Sequence, residues 1–186
     1  MEDDNKGFSL IELIIVVTIM AVLSGFLTYS FSMVTGQHAR QCAANLSTVL
    51  DKAKNYAMTK SGNYDAYVEI IKDDEGYQAC YYVPKKPVKT GAVTTDDYIL
   101  LEQENMGKKA VVLNCYFEGG SSFSINESNY VRIYYDRISG AFKKAVAIIG
   151  GSEVKGYCTK FEIIRGRTYE VTLVSETGKH LVERIN

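Results

Sequence analysis

The 186-residue chain has no tryptophan, two prolines and two histidines. His38 and His180 lie at opposite ends of the chain, so they do not suggest a catalytic pair. His38 and Cys42 are four residues apart, but two ligands are too few for a zinc site. The sequence also contains no phosphate-binding glycine loop, no Gly-x-Ser-x-Gly turn and no dinucleotide fingerprint. We therefore expect no enzyme activity, no cofactor and no metal site.

A strong excess of charge of either sign is also missing, since the formal net charge is −1. Residues 1–7 carry Glu2, Asp3 and Asp4 against Lys6, so removing this segment would leave a net charge of +1. Neither value by itself indicates a nucleic acid or an acidic surface as partner.

Charged residues are absent from the stretch between Leu13 and Ala39. A helix needs about 20 apolar residues to cross ~30 Å of hydrocarbon, so residues 7–27 are predicted to form a transmembrane helix. A secretory signal is the alternative, but its apolar region is usually about 7 to 15 residues long and ends at a small-x-small site. One carboxylate, Glu12, lies near the start of the run, where it needs the membrane interface or a positive partner.

Residues 6–13 read Lys-Gly-Phe-Ser-Leu-Ile-Glu-Leu, and this order resembles the processing site of type IV pilins and type II secretion pseudopilins. The resemblance implies that a prepilin peptidase cuts between Gly7 and Phe8 and methylates the new amine of Phe8. It also implies that Glu12 pairs with the N-terminal amine of a neighbouring subunit, an interaction that low dielectric strengthens. The alternative is an ordinary single-span membrane protein that forms no filament.

The helix is predicted to continue beyond the apolar run. No proline interrupts residues 9–60, so one helix from about Ser9 to Lys60 is expected, roughly 75 Å long. Gly62 is predicted to cap it in the left-handed conformation. In its second part, apolar residues recur three or four positions apart, as on one face of an amphipathic helix. They are Ala43, Leu46, Val49, Leu50, Ala53, Tyr56 and Ala57.

From residue 64 the apolar pattern alternates, which is typical of strands. Turns are predicted at Gly119-Gly120, Ser139-Gly140, Gly150-Gly151, Arg165-Gly166 and Thr177-Gly178. Residues 84–97 contain both prolines and are predicted to form an exposed loop. The predicted strands are 64–71, 76–83, 109–117, 130–135, 145–149, 158–164, 168–174 and 180–185, and the first two are predicted to form a hairpin around the polar turn at 72–76.

A long helix followed by short antiparallel strands predicts an α+β fold, in which the apolar stripe of the helix covers one face of the sheet. The resemblance to type IV pilins implies the same fold. The predicted organisation is a leader at 1–7, a transmembrane and assembly half of the helix at 8–34, an amphipathic half at 35–60 and an antiparallel β-sheet domain at 61–186.

The four cysteines are widely spaced and form no Cys-x-x-Cys pair. Outside the cytoplasm, an even number is compatible with two disulfides, which have three possible connectivities. Four buried free thiols are an equally good alternative. Cys80, Cys115 and Cys158 lie in predicted strands, so pairing among them is easier to picture than pairing with Cys42.

The C-terminal region is similar, more weakly, to the minor pseudopilin H, FimT and competence-pilin branch. The similarity lies in residues 134–140, residues 169–173 and Thr177-Gly178-Lys179. It implies a minor subunit of a type IV pilus, a competence pilus or a type II secretion pseudopilus. The implied partners are prepilin peptidase, other pilin subunits, an inner-membrane assembly platform and membrane lipid. The implied location is the cytoplasmic membrane, with the C-terminal domain outside the cytoplasm.

Some members of this branch bind DNA through basic residues near the C-terminus. The candidate DNA contacts here are Arg165, Arg167, Lys179 and Arg184, and phosphate contacts would make the affinity salt-dependent. Four glutamates interleave with these residues, as on an ordinary solvated sheet face, which is the interpretation we favour. They are Glu162, Glu170, Glu176 and Glu183.

Overall fold

The apolar run and the amphipathic stretch form one unbroken helix, α1, which spans Leu10–Lys60 over 51 residues. The structure is a computed structural model that describes residues 10–60, 65–85 and 97–185, without the side chains of residues 27–35. The predicted continuity of the helix is confirmed. The predicted first residue, Ser9, and the predicted capping residue, Gly62, lie outside the described residues.

Eleven strands follow α1 in the described part of the chain, and all their pairings are antiparallel. They form a six-stranded sheet of order β3-β2-β1-β6-β7-β8 and a five-stranded sheet of order β11-β10-β9-β4-β5. The strands are β1 Tyr67–Lys72, β2 Gly76–Pro84, β3 Tyr98–Lys108, β4 Val112–Phe117, β5 Ser122–Ser124, β6 Tyr130–Tyr134, β7 Ala145–Ile149, β8 Ser152–Gly156, β9 Cys158–Arg165, β10 Arg167–Val174 and β11 Lys179–Arg184.

The α+β class is confirmed, but the expectation of one sheet against the helix is wrong. The second half of α1 contacts both sheets, most extensively at β3 and β10. Its buried residues recur every three or four positions from Ala39 to Ala57, which gives an apolar surface broad enough to reach two layers. One continuous hydrophobic core therefore joins the second half of α1 to both sheets.

Three strands were not predicted: β3, β5 and β8. In β3, which is an edge strand, Glu102 and Glu104 are half-buried, as are Tyr98 and Gly107, and only Met106 is fully buried. Polar residues at the inward positions hide the alternation that identifies a strand. β5 has only three residues, and β8 is exposed at four of its five residues. Most of the predicted loop at 84–97 lies outside the described residues.

Buried tyrosines tie the core together through their hydroxyl groups. Tyr135 donates a hydrogen bond to the carbonyl of Leu50 in α1, at 2.9 Å. The hydroxyl of Tyr77 donates to the carbonyl of Val111 at 3.0 Å and accepts from the amide of Leu113 at 3.1 Å. These bonds supply the polar partners that a buried phenol requires.

All five predicted turns contain glycine with positive φ, as expected for tight turns between strands. Two of these turns touch each other. A Cβ atom at Gly178, where φ is +61°, would lie 1.8 Å from the carbonyl oxygen of Gly140. A side chain is therefore excluded at Gly178 both by the backbone conformation and by the neighbouring turn.

Candidate functional site: the exposed half of the helix

The first part of α1 exposes apolar side chains along the whole of residues 10–26. All residues from 10 to 26 are exposed, with exposed fractions of 77% at Leu10 and 69% at Phe26. Exposed apolar area costs about 25 cal/mol per Å², so these side chains favour an apolar environment, which the residues described by the structure do not provide. The large ones are Leu10, Ile11, Leu13, Ile14, Ile15, Val16, Val17, Ile19, Met20, Val22, Leu23 and Phe26.

Two hydroxyl groups in this segment form hydrogen bonds within the helix. Thr18 donates to the carbonyl of Ile14 at 2.8 Å, and Ser24 donates to the carbonyl of Met20 at 2.7 Å. Such bonds to the carbonyl four residues earlier satisfy hydroxyl groups without water. The polar residues of the segment are thus compatible with an apolar environment.

Glu12 is the acidic residue in the first turn of α1, and it is exposed. A carboxylate near a helix N-terminus interacts favourably with the helix dipole. The predicted cleavage site, Gly7 and Phe8, lies outside the described residues. Cleavage, methylation of Phe8 and the pairing of Glu12 with a neighbouring amine therefore stay predictions.

A cluster of charged residues and tyrosines fixes the second half of α1 to β3. Lys52 in the helix donates from Nζ to Glu102 Oε1 at 2.7 Å and also pairs with Glu104. The hydroxyl of Tyr56 donates to Glu102 Oε2 at 2.8 Å, and that of Tyr81 donates to Glu104 Oε2 at 2.9 Å. Four donated hydrogen bonds thus satisfy oxygen atoms of both carboxylates at the boundary between helix and sheet, and the one positive charge of Lys52 compensates part of their negative charge.

The pKa values in this cluster follow from its geometry. Burial lowers the pKa of Lys52, but its bonds to Glu102 and Glu104 raise it by more, so the net pKa lies above the usual value. The bond from Lys52, followed by that from Tyr56, lowers the pKa of Glu102. Both shifts favour the charged forms of Lys52 and Glu102, so this pair carries opposite charges at neutral pH.

The five-stranded sheet is also attached to α1 by a polar contact. Ser47 Oγ and His180 Nε2, in β11, are 2.7 Å apart. Neither this contact nor the Lys52 cluster could be predicted from the sequence, because Ser47 and His180, like Lys52 and Glu102, are about 50 to 130 residues apart. The only sequence signal was the position of Lys52, directly beside the apolar stripe of the helix.

The candidate DNA-binding residues do not all come together. Arg165 and Arg167 face each other across the β9–β10 turn, and Arg184 pairs with Tyr169 near the same end of the sheet. Lys179 lies at the opposite end of β10 and β11. A Cβ atom at Gly36 would lie 2.8 Å from Cδ of Arg167, so the stem of this side chain packs on α1.

Acidic residues lie in a row across the same strands. Glu162 pairs in register with Glu170, which pairs with Glu183. Lys160 Nζ contacts Glu170 at 2.6 Å, so part of this acidic charge is compensated within the sheet. DNA contact by the basic residues stays a prediction.

All four cysteines are buried, and the sulfur atoms of Cys115 and Cys158 are 3.2 Å apart. Cys42 lies on α1 against Gly107 of β3, and Cys80 pairs in register with Glu69. Burial raises the pKa of Cys42 to about 12 and that of Cys80 to about 11. Within the described part of the chain, no three side chains form a group able to hold a metal ion.

Comparison with family models gave a match at residues 3–28. The chain carries the prokaryotic N-terminal methylation motif. This motif is the signature of type IV pilins and pseudopilins, whose members are structural subunits, so the resemblance seen at Gly7, Phe8 and Glu12 is confirmed at the level of the motif. Searches of curated proteins and of solved structures gave no match.

No helix in the described residues combines the length and the apolar character needed to cross a membrane.

Proposed function

We propose that this chain is a minor pilin or pseudopilin, a structural subunit of a type IV pilus, a competence pilus or a type II secretion pseudopilus. One observation carries this proposal: the methylation motif leads into a helix that is apolar and exposed over residues 10–26 and buried in a folded domain over its second half. The first half of such a helix serves as a membrane anchor before assembly and as the core of the filament afterwards.

The proposed anchor is the predicted transmembrane half at residues 8–34, of which the exposed residues 10–26 are a part. Residues 10–26 alone rise about 25 Å along the helix axis, short of the ~30 Å of a bilayer's hydrocarbon core. The proposed subunit is inserted in the cytoplasmic membrane by this single segment, with the sheets outside the cytoplasm. In the filament, neighbouring helices would replace lipid as the apolar surroundings.

The proposed maturation supplies a partner for Glu12. Prepilin peptidase would cut between Gly7 and Phe8 and methylate Phe8, which places a positive amine four residues before Glu12 on the same apolar segment. In low dielectric, the amine of one subunit and the Glu12 carboxylate of its neighbour attract each other strongly. Such a pair also sets the register between adjacent helices.

Intact-mass measurement of the full chain, expressed with a prepilin peptidase, tests the maturation. We expect loss of residues 1–7 and the addition of one methyl group at Phe8. A mature protein that retains Met1 would contradict the proposal and would favour a single-span membrane protein that forms no filament. Expression of the full chain without the peptidase is the control, and it should leave residues 1–7 in place.

Replacing Glu12 with Gln tests assembly. We expect membrane fractionation to stay unchanged and filament incorporation to fall by about tenfold or more, equivalent to roughly 1.4 kcal/mol per contact. Glu118→Gln, an equally conservative change at an exposed position of the domain, is the matched control. Equal incorporation of the two variants would contradict the pairing of Glu12 with a neighbouring amine.

A DNA-binding tip subunit is the second candidate. The observation in its favour is that Arg165, Arg167 and Arg184 lie near one end of the five-stranded sheet. Titration of the full chain with duplex DNA at two salt concentrations tests it, because phosphate contacts weaken steeply as salt rises. A mobility shift that does not depend on salt, or no shift at all, would remove this candidate.

A further inference from the structure

Two cysteines that are distant in sequence meet at a bulge between neighbouring strands. Cys115 lies in β4, and Cys158 is the first residue of β9. The register shifts from Tyr116 opposite Lys160 to Phe117 opposite Cys158. This shift leaves Thr159 as the extra residue of the bulge, where its hydroxyl donates to the carbonyl of Tyr116 at 3.2 Å.

The bulge places the two sulfur atoms 3.2 Å apart inside the core. Cys115 is fully buried and Cys158 is 6% exposed. We propose that Cys115 and Cys158 are the two partners of a single disulfide, and that Cys42 and Cys80 remain thiols. A covalent bond at about 2.05 Å requires the sulfurs to approach by only roughly 1 Å.

The other two cysteines are placed where they do not face each other. Cys42 packs against Gly107 on the helix side of β3. A Cβ atom added at Gly107 would lie 2.7 Å from the sulfur of Cys42. Cys80 precedes Tyr81, whose ring packs on Tyr56 of α1. Successive side chains of a strand point to opposite faces, so Cys80 points away from the helix. A bond between Cys42 and Cys80 would have to pass through the sheet.

The chemistry requires an oxidant, which in this proposal is a dithiol oxidase or a low-molecular-weight disulfide. Cys158 is the more accessible sulfur, and its thiolate attacks one sulfur of the oxidant's disulfide, which forms a mixed disulfide and releases the other sulfur as a thiolate. The thiolate of Cys115 then attacks the Cys158 sulfur, forms the Cys115–Cys158 bond and releases the remaining sulfur of the oxidant as a thiolate. Two thiol protons pass to solvent, and two electrons leave the protein with the reduced oxidant.

Burial of the two thiols determines when during folding the disulfide can form. It raises the pKa of the Cys115 thiol well above its ordinary value, and only a thiolate attacks a disulfide. The bond should therefore form while β4 and β9 are still assembling. Once formed, it joins two positions that are 43 residues apart in sequence and closes a loop that contains β5 of one sheet and β6, β7 and β8 of the other.

Oxidative refolding tests the pairing independently of the cell. The reduced full chain is unfolded, refolded in mixed reduced and oxidised glutathione, alkylated and digested without reductant for mass spectrometry. We expect one linked peptide pair that joins Cys115 to Cys158, with Cys42 and Cys80 alkylated. Alkylation of all four cysteines, or a link to Cys42 or Cys80, would overturn the proposal.

Matched variants sharpen this result. The double variant Cys42→Ala, Cys80→Ala should retain the link, and Cys115→Ser should lose it without gaining another. Formation in the cell rests on the proposed function, which places the domain in an oxidising location. Trapping thiols before lysis separates the two claims: a link that forms with glutathione but not in cells supports the pairing and contradicts the proposed location of the domain.

Discussion

The two halves of α1 belong to one continuous helix but have opposite surroundings. In residues 10–26 every position is exposed, whereas in the second half Ala39, Leu46 and Leu50 are completely buried. The first half is apolar all round, while the second has a stripe that matches the two sheets. Identical substitutions in the two halves should therefore act on different properties: assembly in the first, stability of the domain in the second.

The largest expected effect comes from removing a buried leucine. Leu50→Ala should lower the free energy of unfolding of the domain by about 2–5 kcal/mol, because it leaves a cavity between the helix and the sheets. Leu23→Ala makes the same change at a residue that is 56% exposed and should leave domain stability within about 0.5 kcal/mol. Denaturant unfolding followed by tyrosine fluorescence measures both; equal losses would break the contrast between the halves.

A glycine substitution should have the next largest effect. Gly107→Ala would place a Cβ atom 2.7 Å from Cys42 Sγ, so the helix must move away from β3 at a cost of about 1–3 kcal/mol. Removing the sulfur with Cys42→Ala in the same chain should recover part of this loss. Gly25→Ala, with nothing within 4 Å of the new atom, should not destabilise the domain. Denaturant unfolding measures the stability of all three variants. If Cys42→Ala does not recover part of the stability lost in Gly107→Ala, the contact between Cys42 and Gly107 is not the cause of that loss.

Lys52→Met should have a smaller effect. It removes the cation that pairs with Glu102 and Glu104 and leaves two carboxylates close together on β3. Because the cluster is partly exposed, the expected loss is about 1 kcal/mol. Lys155→Met is the control, since its contact with Glu153 is at 3.8 Å and both side chains are well exposed. Equal effects of the two variants in denaturant unfolding would show that the Lys52 cluster does not fix the helix.

Acid should produce the smallest change. The pKa of Glu102 is lowered in the folded protein by Lys52 and then by Tyr56, so its contribution is present above the unfolded pKa of about 4.3. This stability is lost as pH falls from there through the lower pKa of the folded state. The unfolding midpoint should therefore decline below about pH 4, and less steeply in Lys52→Met. Identical pH profiles would contradict this assignment.

Local patterns were enough to predict the helix, the β1–β2 hairpin and the glycine turns. The hairpin follows from two alternating runs and a polar turn, and Gly140 and Gly178 mark turns because the backbone there has positive φ. The division into two sheets could not be predicted in this way. It depends on pairings such as Tyr67 with Tyr134, and local periodicity carries no information about partners so far apart.

The features of the candidate site also differ in whether the local sequence predicts them. The methylation motif is a linear order of residues, so residues 6–13 revealed it directly. The Lys52 cluster is assembled from α1, β2 and β3, so the local sequence around Glu102 and Glu104 does not indicate that they face a lysine of the helix. The proximity of Cys115 and Cys158 depends on a bulge, which a count of cysteines does not reveal.

The unbroken length of α1 has a mechanical consequence for the proposed filament subunit. Its 51 residues form a rod about 75 Å long, and a pull on the domain is transmitted along one column of backbone hydrogen bonds. A residue that leaves the helix for an extended strand gains roughly 1.8 Å of length. The buried half is clamped by two sheets, so under tension the rod should lengthen from the half that depends on neighbouring molecules for support.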